Sequence, residues 1–333
     1  MFRLTKKYLT YIGLLSLGLI LSLILNGFNH NFALAASSTA ITSATVGVEP
    51  IGSTTQLNLF QAIILGFVQG ATEFIPISST AHLKVIPVFL GWGDPGVAFT
   101  AVIQLGSIAA VISYFWSDLA QITTGMFKAI RTSNYQSQDF WLAVGIAVGT
   151  IPILVLGLAI KVLIPDFDNS PVRGMTAIAI ASIVMALLLA LAEYLGNQKR
   201  NFQDLTAKDG IIIGFAQALA LMPGVSRSGS TMTAGLFINL DRATAARFSF
   251  LLGIPAITLA GLVELKGMIE TGAASSGLVP LIAGLISSTI FSYLAIAWLI
   301  KFLQRRSTWV FVWYRLGFGV FILAAMALGW LKG

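Results

Sequence analysis

Two short polar runs interrupt a strongly apolar chain, and both contain residue types that can do chemistry. The first run reaches from Glu73 to His82 and includes Ser78, Ser79 and Thr80. A carboxylate and an imidazole can serve as general base and general acid, or can activate a serine hydroxyl for attack. Because ionisable residues are costly in membrane-like sequence, they indicate a functional site there. The first run is therefore a candidate catalytic loop.

The second run, 223–231, combines one arginine with small and hydroxyl-bearing residues. Its Arg227 can bind a phosphate group bidentately and keeps its charge when buried. Gly224 and Gly229 allow main-chain N–H groups to converge on an anion. The hydroxyls of this run belong to Ser226, Ser228, Ser230 and Thr231. Together these features predict a phosphate-binding loop.

Both runs also have structural explanations. Arg227 could serve only to neutralise Glu73, and the hydroxyls that follow Pro76 could cap a helix. His82 could be a hydrogen-bonded core residue. Since an acid, an imidazole and several hydroxyls occur together in apolar sequence, we favour the functional explanation.

Composition assigns these runs to a membrane protein. Of 333 residues, 56% are hydrophobic and only 10% charged, against about 25% charged in soluble domains. The apolar stretches are far longer than the strands of a membrane barrel, which predicts helices. The absence of cysteine and the presence of only two histidines exclude disulfides, thiol nucleophiles, thiolate metal sites and multi-histidine metal sites. The net charge of +7 comes mainly from short loops between apolar runs, so we expect no nucleic-acid partner.

The N-terminal part of the chain precedes the predicted membrane domain. Residues 1–36 have a basic start, an apolar stretch and small residues at the end, which predicts a secretory signal peptide or a first transmembrane helix. Residues 37–56, rich in Ser, Thr, Gly and Ala, form a predicted flexible external linker. We expect the membrane-embedded domain to occupy residues 57–333.

Six apolar runs are long enough to cross a bilayer as helices. Cationic loops at 117–140, 195–210 and 301–308 are expected on the cytoplasmic side. The loops at 164–173 and 266–277 are poorer in cations and are expected outside. The six runs are 98–116, 141–163, 174–194, 245–265, 278–300 and 309–331.

Two further stretches, 57–97 and 211–244, must each begin and end on one side of the membrane. Non-helical backbone at membrane depth is tolerated only where it is buried in protein or lines a wet cavity. We therefore predict two re-entrant helical hairpins. Residues 66–80 also align without a gap with residues 214–228, which indicates a repeat whose copies have opposite topology. The predicted fold is all-α, a polytopic helical membrane protein with two re-entrant hairpins in an inverted-topology repeat.

The two runs together suit phosphoryl transfer from a lipid. Arg227 and main-chain donors can stabilise the charge of a phosphoryl-transfer transition state. A site within the bilayer implies a substrate whose tail stays in lipid while its phosphates enter a polar pocket. The residues thus indicate a lipid-phosphate hydrolase. A lipid transporter or flippase is the main alternative, and a non-catalytic membrane scaffold is a third.

Several segments carry a family resemblance. They are Gln69-xxx-Glu73, 76–82, 223–231, 249–255 and Tyr314-Arg315. Over about residues 57–331 the chain resembles the bacterial undecaprenyl-diphosphate phosphatase family of the bacitracin-resistance type. The resemblance implies hydrolysis of undecaprenyl diphosphate to undecaprenyl phosphate and inorganic phosphate, which recycles the carrier lipid of peptidoglycan synthesis and confers bacitracin resistance. It also implies a multi-pass protein of the bacterial inner (plasma) membrane with a polyprenyl diphosphate lipid as partner, and it leaves a homodimer open.

The resemblance implies four catalytic residues, Glu73, Ser79, His82 and Arg227. A divalent cation, Mg²⁺ or Ca²⁺, is implied beside Glu73 and Gln69. The family commonly has Glu at both ends of the acidic motif. The amide oxygen of Gln69 can still ligate a hard cation but cannot act as a base. The predicted substrate-binding residues are Ser78, Thr80, Ser226, Ser228, Gly229 and Thr231.

Two routes to phosphate release are compatible with the sequence. In the first, Ser79 is activated by His82 or Glu73 and attacks the terminal phosphorus. In the second, one of these two residues activates a water molecule instead. The residue types alone do not separate the two routes.

Overall fold

The computed structural model describes residues 57–164, 166–167, 170–270 and 278–331. The predicted leader and linker lie outside the described residues, so both stay predictions. Within the described ranges the chain is helical and contains no strand. The predicted all-α fold class is therefore confirmed.

Eleven α-helices lie within the described ranges. They are α1 (Leu59–Glu73), α2 (Ser79–Phe89), α3 (Gly96–Tyr114), α4 (Trp116–Arg131), α5 (Gln138–Leu163), α6 (Met175–Leu195), α7 (Ala207–Ala218), α8 (Arg227–Phe237), α9 (Arg242–Glu270), α10 (Leu278–Leu303) and α11 (Trp309–Ala327). Short 3₁₀ helices occur at Pro171–Arg173, Phe202–Asp204 and Leu219–Leu221.

Five of these helices are long and apolar enough to cross a membrane. They are α5, α6, the Arg242–Val263 part of α9, α10 and α11. The sixth predicted span, 98–116, coincides with α3, which continues into α4 through a bend of 68°. The prediction of a polytopic helical membrane protein is therefore confirmed.

Helix α4 differs from the loop that the sequence predicted over 117–140. The charges of this segment indicated a loop, but they lie in the first and last turns of a helix, where such charges are favourable. Asp118 lies in the first turn of α4, and Lys128 and Arg131 lie in the last turn, which complements the helix dipole. Asp118 also forms an ion pair with Arg247 of α9, which ties α4 to the bundle.

Each predicted hairpin consists of two short helices. Helices α1 and α2 have 15 and 11 residues, and α7 and α8 have 12 and 11. A membrane-spanning helix needs about 20 residues, so none of the four is long enough to cross alone. Their entry into the membrane from opposite faces stays a prediction.

The two hairpins pack against the rest of the bundle in the same way. Helix α1 lies against α10, and α7 lies against α5. A Cβ atom at Gly66 would overlap the carbonyl oxygen of Gly284, and one at Gly214 would overlap that of Gly149. Because Gly66 and Gly214 occupy the same position of the sequence repeat, the repeat reappears as two equivalent close helix contacts.

Candidate active site

The two polar runs form the turns of the two hairpins, and these turns are in contact. The first turn, residues 74–78, joins α1 to α2, and the second turn, residues 222–226, leads into α8. Arg227 Nη2 lies 3.0 Å from Glu73 Oε1. The structure therefore brings the acidic residue of the first run onto the arginine of the second.

Glu73 lies at the C-terminal end of α1, and both of its carboxylate oxygens are engaged. Oε1 accepts a hydrogen bond from Arg227, while Oε2 accepts one from Ser79 Oγ at 2.6 Å and one from Gln69 Nε2 at 3.1 Å. The Glu73 side chain is only 9% exposed. The carboxylate thus joins a cation to a hydroxyl group in a largely buried position.

Both turns end on a serine with unusual backbone geometry. Ser78 has φ 74° and Ser226 has φ 71°, in the left-handed region that non-glycine residues rarely adopt. Each serine caps the helix that follows, since Ser78 Oγ accepts from Ala81 N–H and Ser226 Oγ accepts from Gly229 N–H. Strained residues of this kind persist where the surrounding structure holds them, often at functional sites.

Ser79 and Arg227 are the first residues of α2 and α8, and they occupy the same position of the repeat. The N-terminal ends of two helices therefore meet beside Glu73. Free N–H groups and the positive end of the helix dipole favour an anion at such ends. Ser79 Oγ, at 2.6 Å from the Glu73 carboxylate, is within the range in which a base can accept its proton.

His82 is buried one turn into α2, and its nitrogens point away from Ser79. Nδ1 lies 2.7 Å from the carbonyl oxygen of Ser78, and Nε2 lies 2.6 Å from the hydroxyl of Tyr314. Since a carbonyl only accepts, we assign the proton to Nδ1, and the Tyr314 hydroxyl then donates to Nε2. The ring also stacks on Phe318 at 4.2 Å. In this arrangement the carboxylate of Glu73, rather than the imidazole of His82, lies within hydrogen-bond distance of the Ser79 hydroxyl.

One guanidinium nitrogen of Arg227 has no hydrogen-bond partner among the described residues. Nη2 bonds Glu73, while Nη1 is buried and has no hydrogen-bond partner among the described residues. The guanidinium lies directly against the bare Cα of Gly253 in α9, because a Cβ at Gly253 would overlap Nη1. A buried, unpartnered guanidinium N–H is a strong donor for a phosphate oxygen.

Most predicted substrate-binding hydroxyls form hydrogen bonds within the protein. Ser228 Oγ donates to the carbonyl oxygen of Ile75 at 3.1 Å, which links the second hairpin to the first turn. Thr231 Oγ1 donates to the carbonyl oxygen of Arg227 at 2.7 Å. Thr80, by contrast, is exposed. Their roles as substrate ligands, with those of Ser78, Ser226 and Gly229, stay predictions.

Two residues near the site, Tyr314 and Arg315, received no role from the sequence. Tyr314 bonds His82, and Arg315, 1% exposed, lies behind both turns. The signal that could have found Arg315 is its position within the last apolar run, since an ionisable residue at membrane depth indicates function.

The described residues do not form a metal centre by themselves. Among them no group of three or more His, Cys, Asp or Glu side chains could hold a metal ion. Glu73 is the one carboxylate at the junction of the two turns, and Arg227 already neutralises it. Mg²⁺ is often held by one or two carboxylates together with substrate phosphates, so these residues fit only a cation that the substrate also ligates.

Residues 62–321 match the family model described as Bacitracin resistance protein BacA. The chain belongs to this family. Similar proteins of known name support the assignment over most of the chain. A protein of Synechocystis sp. named undecaprenyl-diphosphatase is 59% identical over 325 residues, which cover 98% of this chain and 99% of that protein.

Two further BacA-family relatives carry the same name. The undecaprenyl-diphosphatase of Trichodesmium erythraeum is 64% identical over 280 residues, covering 84% of this chain and 90% of the relative. That of Gloeobacter violaceus is 57% identical over 274 residues, covering 82% of this chain and 94% of the relative. All three alignments thus span most of both proteins.

Proposed function

We propose that this BacA-family chain hydrolyses undecaprenyl diphosphate to undecaprenyl phosphate and inorganic phosphate, recycling the carrier lipid of peptidoglycan synthesis and conferring bacitracin resistance. The observation that carries the proposal is the position of Glu73, whose carboxylate bonds the Ser79 hydroxyl on one oxygen and the Arg227 guanidinium on the other. A base, a hydroxyl nucleophile and a phosphate-binding cation thereby form one contiguous group.

The first step is transfer of the terminal phosphoryl group to Ser79. Arg227 Nη1 and the N–H groups at the start of α8 bind the terminal phosphate. Ser79 Oγ attacks its phosphorus and gives its proton to Glu73. The bond from this phosphorus to the bridging oxygen breaks, and undecaprenyl phosphate leaves with the electron pair as a stable anion.

The second step returns the enzyme to its starting state. Glu73 first releases the proton it took from Ser79 to the surrounding water. A water molecule then attacks the phosphorus of the phosphoserine and gives a proton to Glu73, the bond from phosphorus to Ser79 Oγ breaks, and Glu73 returns that proton to Oγ as inorganic phosphate leaves. His82 acts as a positioning residue, since its Nδ1–H donates to the Ser78 carbonyl next to the nucleophile. Tyr314 holds the His82 ring through its bond to Nε2. Direct attack of water on the lipid diphosphate is the competing route.

A divalent cation, Mg²⁺ or Ca²⁺, is part of this proposal. Glu73 and the amide oxygen of Gln69 would hold it together with oxygens of the substrate. When bound, the cation neutralises phosphate charge.

The setting of the reaction is a bilayer. Apolar helices long enough to span it pack against the two hairpins, so the prenyl tail can stay in lipid while the diphosphate reaches Glu73 and Arg227. We assign the protein to the bacterial inner membrane, where the carrier lipid is used. A homodimer stays a prediction.

Phosphate release from a long-chain prenyl diphosphate in detergent tests the proposal. Glu73→Gln and Arg227→Ala should each lose nearly all activity while remaining folded, and Arg305→Ala, an exposed cation far along the chain in the 301–308 loop, should keep the full rate. Full activity in either site variant would remove that residue from the mechanism.

Acid quenching with a terminally labelled diphosphate separates the serine route from the water route. Transient label on the chain, absent in Ser79→Ala, supports the phosphoserine. A Ser79→Ala variant with the full rate would establish the water route instead.

Lipid transport is the second candidate function, because the two hairpins have equivalent packing and transporters are commonly built from such repeats. Reconstituted protein that moves polyprenyl phosphate across vesicles without releasing inorganic phosphate would favour transport. Phosphate release from the same vesicles without net lipid movement would favour the phosphatase alone.

A further inference from the structure

Arg315 is a fully buried cation without an acidic partner. It lies in the middle of α11 and is 1% exposed. In the described part of the chain its side-chain nitrogens bond main-chain carbonyl oxygens and no carboxylate. Burying an arginine is costly unless all its donors are satisfied, so its place here requires an explanation.

The carbonyl groups that accept from Arg315 belong to both turns. Nη1 donates to the Pro76 carbonyl at 3.0 Å, and Nη2 donates to those of Gly224 and Val225 at 2.7 and 3.1 Å. Pro76 and Gly224 occupy the same position of the sequence repeat. One planar guanidinium therefore bonds the two copies of the repeat at equivalent points.

The guanidinium itself is anchored to helix α6. Arg315 Nε donates to the Ser182 carbonyl at 3.3 Å, and Ser182 Oγ donates in return to the Arg315 carbonyl at 3.2 Å. These reciprocal bonds hold the crossing of α6 and α11. The guanidinium is thus tied to the bundle as well as to the two turns that it contacts.

The bonds of Arg315 lie next to the reacting groups in the chain. Pro76 stands between Glu73 and Ser79, and Val225 stands two residues before Arg227. Any change in the separation of the two turns would therefore change the distance from Glu73 and Ser79 to a phosphate held by Arg227.

We propose that Arg315 is a positioning residue that sets the separation of the two turns, and with it the geometry of Glu73, Ser79 and Arg227, without touching the substrate. The inference rests on the proposed phosphatase function. Arginine suits this task because its donors form a rigid fork. Lysine presents its donors from a single nitrogen and cannot hold both turns in the same way.

The kinetic test compares Arg315→Lys and Arg315→Gln with the unchanged protein. Because a small misplacement of reacting groups is costly, we expect kcat per folded molecule to fall about 10- to 100-fold, with a smaller change in KM and with Lys closer to the unchanged protein than Gln. Folded protein is measured by gel filtration and thermal unfolding. A kcat of Arg315→Lys equal to that of the unchanged protein would overturn the proposal.

The matched control is Arg242→Lys. Arg242 of α9 bonds Glu193 of α6 through Nε at 2.8 Å, so it also joins helices, but it does not contact either turn. We expect this variant to unfold at a lower temperature while its kcat per folded molecule stays unchanged. An equal loss of kcat in Arg242→Lys would mean that Arg315 acts through general stability, which contradicts the proposal.

A distance measurement tests the positioning role independently of activity. The chain has no cysteine, so spin labels on Thr80→Cys and Phe237→Cys report on α2 and α8 alone. The Arg315→Gln substitution should broaden or shift the distance between these labels, and an unchanged distribution would refute positioning. If the unchanged protein releases no phosphate, the proposed function fails while this measurement still decides the role of Arg315.

Discussion

The absence of a side chain at Gly253 leaves room for the Arg227 guanidinium. A Cβ at this position would overlap Nη1, the end of a long side chain that can move aside. We therefore expect Gly253→Ala to fold normally but to displace Arg227, which should lower the rate of phosphate release by about 10- to 100-fold. Phosphate release and thermal unfolding measured on the same sample check this.

The matched control for Gly253→Ala is Gly317→Ala. Gly317 is also helical, but a Cβ there would meet nothing within 4 Å. That variant should keep its activity and gain a little stability, about 0.5–1 kcal/mol, because alanine favours helix over glycine. Wild-type activity in Gly253→Ala would show that Arg227 does not depend on this contact.

We expect Gln69 to influence how strongly the site holds the proposed cation. Its Nε2 bonds Glu73 and, at 3.3 Å, Ser107, so a carboxylate at position 69 would stand beside that of Glu73. We expect Gln69→Glu to lower the Mg²⁺ concentration needed for half-maximal activity on the order of tenfold, because added ligand charge raises cation affinity. Gln69→Leu should raise it, and identical Mg²⁺ titrations of all three proteins would exclude position 69 from cation binding.

Sequence was sufficient for the residue types of the site but not for their contacts. Glu73, Ser79 and Arg227 are recognisable as an acid, a hydroxyl and a cation in apolar sequence. The bonds from His82 to Tyr314 and from Arg315 to both turns join segments far apart in the chain. Such contacts depend on how the helices cross, and local sequence patterns do not predict the crossing of distant helices.

Close contact between helices α5 and α7 depends on glycine. A Cβ at Gly149 would overlap the carbonyl oxygen of Gly210, which is backbone and cannot move alone. We expect Gly149→Ala to push α7 away from α5 and to lower the free energy of unfolding by about 1–3 kcal/mol. Thermal unfolding in detergent measures the effect.

Gly157 of the same helix supplies the control for Gly149→Ala. A Cβ at Gly157 would make an ordinary contact of 3.5 Å with Leu221. Gly157→Ala should therefore be neutral or slightly stabilising. Equal melting temperatures for the two variants would show that the α5–α7 contact tolerates a methyl group.

The long apolar helices were predictable from the sequence, whereas the amphipathic helix α4 was not. The spans α5, α6, α10 and α11 follow directly from their length and composition. Helix α4 was predicted as a loop because its charges obscure a helical pattern. Its stability depends on its packing against α5 and on the ion pair from Asp118 to Arg247, which only the tertiary structure reveals.

At the scale of the molecule, the repeat builds one site from two unequal halves. Ser79 and Arg227 occupy the same position of the two copies, and so do Glu73 and Leu221. The first copy therefore supplies the carboxylate and a serine hydroxyl, while the second supplies the cation. Duplication explains why the two turns meet, and divergence explains why a single reaction centre results.

The predicted inverted orientation of the two copies can be tested on the whole membrane protein. Both ends of the first hairpin should face outside and both ends of the second should face the cytoplasm. In the cysteine-free chain, Asp94→Cys, between α2 and α3, should react with a membrane-impermeant thiol reagent on intact spheroplasts. Gln203→Cys, just before α7, should react only after lysis.

Two further single-cysteine variants calibrate this labelling. Asp166→Cys lies in a loop expected outside and Arg305→Cys in a loop expected inside, so they report each face without depending on the hairpins. If Asp94→Cys and Gln203→Cys react from the same side while these controls differ, the two hairpins enter from one face. The inverted repeat would then be wrong, and the meeting of Glu73 with Arg227 would need another origin.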